Sequence, residues 1–295
     1  MLMKDHSFGY RVFTATNTLF MILLVVVTAY PLYFVLIASF SDPAELSLHP
    51  GILLLPLKPY TLSAYKMVLD NPLITSGFKN TLFILTVGVA VNLLLTVMAA
   101  YVLSLKDLML KNPVTFFIIF TMYFSGGMIP SYLNIRDLGL IDSLWSLIIP
   151  GAISTTNLII MKTAFQGIPD SLTESARLDG ASHVKILTRI MVPLSVPTIA
   201  VMVLYYGVGH WNSWFSASIY LQDNRKFPLQ LVMRNILNAT QVSSMLGGAD
   251  TDEMARLVEL IKYALIVVST FPILALYPFL QKYFVKGVMI GAIKG

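Results

Sequence analysis

Two stretches of this sequence hold most of the side chains that could engage a partner or a solute. The first runs from Pro169 to Pro197, a polar island in an otherwise apolar chain. Within it, Ser171-Leu-Thr-Glu174 has the spacing of a capping box, so a helix is expected to start at Ser171. Gly180 falls where that helix would need a left-handed residue to end. Ser182 is positioned to cap a second short helix reaching about Ile190, and Pro193 and Pro197 punctuate the entry to the next apolar run. The expected result is two short helices with a sharp turn at a membrane surface, joined directly to the next apolar run.

The second stretch is Leu204–Tyr220, the most polar and aromatic of the long apolar runs. Tyr205, Tyr206, His210, Trp211, Asn212 and Trp214 combine rings that stack on the apolar faces of sugars with groups that bond sugar hydroxyls. At about 100° per residue, Tyr205 and Asn212 share one helix face, while Tyr206, His210 and Ser213 share a neighbouring one. Together they predict a polar stripe lining a solute path, with Val208 and Trp211 turned towards lipid or other helices. The competing reading for Trp214 and Tyr220 is an aromatic belt at a membrane interface. Asn92 and Asn157 are the other mid-span amides, and they read as interhelical hydrogen-bonding groups.

No catalytic set accompanies these stretches. The sequence has no Ser-His-Asp arrangement, no H-E-x-x-H metal spacing, no phosphate-binding glycine loop and no cysteine. The expectation is a chain that is not an enzyme and carries no cofactor or metal of its own. Nor do the apolar runs contain a carboxylate, which an ion-coupled carrier needs at depth. Energy for transport would then have to enter through the polar island.

The elements that position these residues are membrane helices. The chain is 56% hydrophobic and 12% charged, with mean hydropathy +0.75, whereas soluble domains carry about 25% charged residues. The charge-free intervals 12–41, 80–105, 112–135, 143–161, 190–222 and 263–281 can each hold a crossing helix of about 20 residues. The reading is one all-α membrane domain over 1–295. Its six spans lie at about 13–40, 80–105, 113–133, 143–165, 194–221 and 259–283, and its polar loop at about 166–193. With both termini inside, the inner segments carry a net charge of +6 and the outer ones −1, which agrees with basic residues marking the cytoplasmic side. The net charge of +5 is a topology signal and not a nucleic-acid one. The first run is too long for the core of a cleaved signal peptide, roughly 7–15 residues, and reads as a retained span. Pro31, Gly126-Gly127, Pro130, Pro150-Gly151, Pro272 and Pro278 mark kinks or, alternatively, gates.

Glu174, Ala176, Asp179, Gly180, Ala181, Ile190 and Pro193 fall at the spacing of the EAA loop of ABC importer permeases, with Ser175 at the usual middle alanine and Val192 before the proline. The chain therefore resembles that family over nearly its whole length. Trp211-Asn-Ser-Trp-Phe with the following Phe-Pro-Leu, and the ending Lys286–Gly295, resemble the carbohydrate-uptake, maltose-type branch. Tyr123–Pro130 and the following Ser-Tyr-Leu resemble permeases for oligosaccharides of the aldouronate or alginate kind. The resemblance implies a type I importer fold of six transmembrane helices in a prokaryotic inner membrane. It also implies a coupling helix in which Glu174, Ser175, Ala176, Asp179, Gly180 and Ala181 dock on an ATPase. The implied partners are a second homologous permease, two ATPase subunits that bind the ATP and magnesium, and an extracytoplasmic solute-binding protein. The tail would reach the ATPase pair, and the cargo would be an oligosaccharide moved by alternating access. A permease for a non-sugar solute and an ion-coupled carrier or channel stay open as alternatives.

Overall fold

The computed structural model describes residues 8–49, 51–245 and 260–275. Every regular element among them is a helix. The described residues fall into two compact units, one drawn from 1–71 and 237–271, the other from 72–236 with 272–275.

In the first unit, α1 (Phe8–Ala38) is an uncharged run beyond Arg11, about 46 Å long at 1.5 Å per residue. Its apolar side chains are exposed on every face except near its end, the pattern of a helix whose surroundings are themselves apolar. Asp42 accepts from the Ala44 and Glu45 N–H groups, and Pro43 follows, so α2 (Pro43–Leu48) starts with both a side-chain cap and a proline in its first turn. α3 (Ser63–Asp70) is tied to the end of α1 by Tyr65, whose hydroxyl bonds Ser39 at 2.7 Å and whose ring stacks on Phe40.

The second unit is built on α4 (Pro72–Ser104), 33 residues and about 50 Å long. The stretch expected as one span at 113–133 is two helices, α5 (Lys111–Tyr123) and α6 (Met128–Asp137), bent by 115°. Gly127 there has φ +90, outside the range of an L-residue helix, so the helix cannot pass through it. The stretch expected at 143–165 is also interrupted. A single 3₁₀ turn at Leu144–Leu147 gives way to the Pro150-Gly151 turn, and α7 (Thr155–Gln166) starts afresh at Ser154, whose side chain caps it. α8 (Asp170–Leu178) begins one residue before the expected Ser171. Pro169 takes the cap position and the capping box does not form, because Asp170 enters the helix and its carboxylate turns to Lys106.

α9 (His183–Ile186) continues through a π turn into α10 (Val192–Leu194), which meets α11 (Val196–Trp211) at 83°. The stretch expected as a span at 194–221 breaks again at Asn212-Ser213, and α12 (Trp214–Tyr220) follows. α13 (Leu229–Met245) belongs to this unit as far as Ile236, and α14 (Leu260–Ala275) to the first unit as far as Phe271. α1 and α4 are each long and apolar enough to cross a bilayer. The bent pairs α5–α6 and α9/α10–α11 raise that number to four among the described residues. Residues 246–259 and the tail Lys286–Gly295 lie outside the described residues.

α7 and α11 both pack along α4. Gly77 and Gly88 permit the closest approaches. A Cβ on Gly77 would lie 3.1 Å from the Leu229 Cα, and one on Gly88 only 2.6 Å from Nε2 of His210.

Candidate functional site

Near Ser104, α4 meets the polar loop. α8 ends at Gly180, with φ +75. The Ala181 N–H donates to the Ala176 carbonyl at 2.9 Å and the Gly180 N–H to that of Arg177 at 3.0 Å, the two bonds of a Schellman ending. Nothing crowds the Cα of Gly180, so its requirement is conformational and not steric. Ser182 then caps α9 through the Lys185 N–H, as expected.

Ala176 and Ala181 turn inward onto a core of Tyr101, Phe165, Ile186 and Met191. Glu174, Ser175, Asp179 and Gly180 face outward, and Leu178 is 90% exposed. The loop is held to the end of α4 and the turn after it by polar bonds the sequence reading missed. Lys106 pairs with Asp170 at 2.5 Å and Arg177 lies 3.9 Å from Asp107. The Tyr101 hydroxyl meets Nδ1 of His183 at 2.9 Å. The hydrogen bond that Lys106 donates to Asp170 raises the Lys106 pKa above its ordinary value. A cleft of about 230 Å³ opens between these groups, lined by Tyr101, Lys106, Asp107, Asp170, Glu174 and Arg177 among others. The pairs join residues 64 and 70 positions apart, so no local pattern announces them.

At mid-length, α4 and α11 share a polar ladder. Asn92 is fully buried and donates from Nδ2 to the carbonyls of Gly151 and Ala152, at 2.8 and 2.9 Å. Carbonyls only accept, so the amide must face them with its nitrogen, and Oδ1 is left for His210 Nε2 at 2.7 Å. That nitrogen therefore carries the hydrogen. One turn further along α4, Thr96 bonds the Tyr206 hydroxyl at 2.7 Å, and the same hydroxyl accepts from the Ser154 N–H at 3.0 Å. Gly88, Asn92 and Thr96 lie at i, i+4 and i+8, and Tyr206 and His210 at i and i+4. That spacing was the available signal for Gly88 and Thr96, which the sequence reading missed.

The candidate path residues are thus divided. Tyr206 and His210 are buried in helix contacts, whereas Tyr205 is 44% exposed and Asn212 is exposed at the end of α11, its amide donating to the Val208 carbonyl. Trp211 is buried, as its packing role required, and its indole N–H has no acceptor among the described residues.

Near its start, α4 meets a different set. Asn80 donates to the carbonyls of Arg225 and Phe227, and Thr81 accepts the Leu229 N–H. Asp142, at φ +56, accepts from the Gln222 and Asp223 N–H groups at 3.0 Å and from Lys226 at 2.6 Å. The Asp223 N–H, then the Lys226 ammonium and the Gln222 N–H, lower its pKa from 3.8 to about 2. Thr81 and Tyr101 are about 30 Å apart along α4, the thickness of a bilayer's hydrocarbon core. The polar loop and the Asp142 staple therefore stand at opposite ends of a membrane-length helix.

Residues 82–290 match the family model described as "Binding-protein-dependent transport system inner membrane component". Protein LplC of Bacillus subtilis (strain 168) is 43% identical to this chain over 97% of it and 96% of that protein. The polygalacturonan/rhamnogalacturonan transport system permease protein YtcP of the same organism is 39% identical, over 94% and 96%. A chain in the crystal structure of a bacterial ABC transporter involved in the import of the acidic polysaccharide alginate superposes with a TM-score of 0.85 at 32% identity, covering 95% of this chain and 99% of that one. The family match spans most of the chain, and the relatives match it end to end. The chain belongs to the inner-membrane permease components of binding-protein-dependent ABC transport systems.

Proposed function

We propose that this protein is the permease subunit of an ATP-driven importer that brings an acidic oligosaccharide into the cytoplasm by alternating access. The observation that carries the cargo assignment is the likeness, over nearly the whole chain, to a chain of an alginate importer. The kinship with a polygalacturonan/rhamnogalacturonan permease supports the same chemistry, since these polymers are rich in uronic acids.

In this reading six spans cross the membrane with both termini in the cytoplasm, α5–α6 is a bent crossing, and α11 enters the membrane at a bend from the loop that precedes it. The loop 166–193 is cytoplasmic, and α8 is the coupling helix. Its outward residues Glu174, Ser175, Asp179 and Gly180 meet an ATPase subunit, while Ala176 and Ala181 seat it on the spans. The ion pairs Lys106–Asp170 and Arg177–Asp107 support this role, because a push on α8 is passed to the end of α4 through them. The chain binds no nucleotide. A pair of ATPase subunits holds ATP and magnesium, and their closure shifts the spans between two states. A second, homologous permease completes the pore, and an external binding protein delivers the sugar. A related complex was crystallised with an alginate pentasaccharide-bound periplasmic protein. Of the path candidates, Tyr205 and Asn212 line the route, while Tyr206 and His210 hold the helices that form it.

The test is reconstitution of the full complex in proteoliposomes with labelled oligogalacturonates, alginate oligomers, neutral oligosaccharides and amino acids. ATP-dependent uptake of an acidic oligomer, stimulated by the binding protein, is expected. Uptake of only neutral sugars or amino acids would refute the cargo. Uptake without the ATPase, abolished by an ionophore, would instead make the chain an ion-coupled carrier.

A further inference from the structure

At the Asp142 end of the second unit, cations are neutralised one by one. Arg136 pairs with Asp137, Arg225 with Asp223 and Lys226 with Asp142. Lys79 and Arg234 have no carboxylate among the described residues, and of these only Arg234 is held in place. Its guanidinium carbon lies 3.4 Å from the centre of the Trp214 ring. Trp214 is in turn fixed against the buried cluster of Ile84, Leu147 and Tyr220.

A guanidinium stacked flat on an indole keeps its charge and leaves the N–H donors around its rim unused. Stacking removes most of the side chain's freedom while spending none of its hydrogen bonds. A rigid, exposed and uncompensated fork of this kind is suited to a planar carboxylate gripped through two oxygens. Phe215 meets the same indole edge-on at 5.4 Å and is 54% exposed, an apolar surface on the residue that braces the charge. A uronic acid residue has the matching pair of features, a carboxylate on one corner and an apolar face on the pyranose ring.

We infer that Arg234, braced by Trp214, whose indole also meets Phe215, is a recognition subsite for the carboxylate of a uronic acid unit of the cargo. The inference rests on the acidic-oligosaccharide reading and assigns that reading's charge selectivity to a residue of this chain. A neutral sugar gains nothing from the fork, so the subsite discriminates by charge and not by ring size. Trp214 acts as a positioning residue, holding the guanidinium plane.

The experiment uses the complete reconstituted transporter with labelled oligogalacturonate and the same oligomer after reduction of its carboxyl groups. Arg234→Gln is expected to lower kcat/KM for the acidic oligomer about tenfold or more, since hydrogen bonds to a charged partner are worth roughly 1.5–3 kcal/mol. Uptake of the reduced oligomer should be unchanged. Arg234→Lys should restore only part of the loss, because a point charge lacks the fork, and Trp214→Leu should raise KM with little effect on kcat. Stimulation of the ATPase by sugar-free binding protein serves as the second measurement and should be equal in wild type and Arg234→Gln. Equal losses for both oligomers, or reduced stimulation by the sugar-free binding protein, would make Arg234 a docking residue for that protein and overturn the subsite. Unchanged uptake of the acidic oligomer would overturn it as well, while leaving the cargo assignment standing. If the wild type moves no acidic oligomer at all, the cargo assignment falls and the subsite with it.

Discussion

Replacing Asn92 with leucine tests whether the ladder between α4 and α11 is structural. The two side chains have the same number and branching of heavy atoms, two methyl groups standing in for the amide oxygen and nitrogen, so the hydrogen bonds are what the substitution removes. Asn92 is fully buried and makes three hydrogen bonds, to the carbonyls of Gly151 and Ala152 and to Nε2 of His210. Leucine satisfies none of these groups. Interhelical hydrogen bonds in membrane proteins are worth about 0.6 kcal/mol on average and up to about 1.7, so three together amount to roughly 2–5 kcal/mol. At about 2–4 °C per kcal/mol for a large domain, the detergent-solubilised complex should lose roughly 4–20 °C in melting temperature. The assay is a thermal series read by size-exclusion of the intact complex. A double-mutant cycle with His210→Ala should return a coupling of about 1 kcal/mol, because the two residues share one bond. Gly88→Ala should mimic the loss, since its Cβ would sit 2.6 Å from the same imidazole nitrogen. A melting point for Asn92→Leu within about 2 °C of wild type, combined with a changed order of preference among sugars, would refute the reasoning and make Asn92 a solute contact.

Gly180→Val should leave the protein assembled but lower ATPase stimulation several-fold, because a β-branched residue at φ +75 is strained by at least about 1–2 kcal/mol. Gly180→Asn, which tolerates that conformation better, should keep most of the stimulation. Asp142 has its pKa depressed to about 2, so its contribution is present above its ordinary value near 3.8 and is lost as pH falls towards 2. Protease sensitivity of the 138–143 and 221–228 loops should rise over that window and be flatter in Asp142→Asn, which keeps the turn and loses the charge. Tyr205→Ala and Asn212→Ala should reduce transport without lowering the melting point, whereas Tyr206→Phe, which removes the hydroxyl bonded to Thr96 and Ser154, should lower it; the reverse pattern would exchange their roles.

Much of the architecture was legible in the chain because it rests on short-range physics. A run without charge, such as 12–41 or 80–105, has no stable state in water other than burial, and a helix is the form that satisfies its backbone in an apolar medium. The ending at Gly180 and the cap at Ser182 were readable for the same reason, since each is decided within a few residues. The capping box at Ser171 was not, because Asp170 and Ser171 are both acceptable starts. Lys106, 64 residues earlier in the chain, drew Asp170 into the helix and settled the choice. The breaks at Gly127 and Ser154 were marked by glycine and proline, but the 115° turn between α5 and α6 was not, since those residues permit a bend without fixing its size. The division of α11 into an exposed face with Tyr205 and a buried one with Tyr206 and His210 was decided by tertiary structure alone. Helical periodicity states which side chains share a face. Which face meets a neighbour depends on where Gly88, Asn92 and Thr96 stand on a helix more than a hundred residues away in sequence, and on the close approach that only a residue without a side chain at 88 allows.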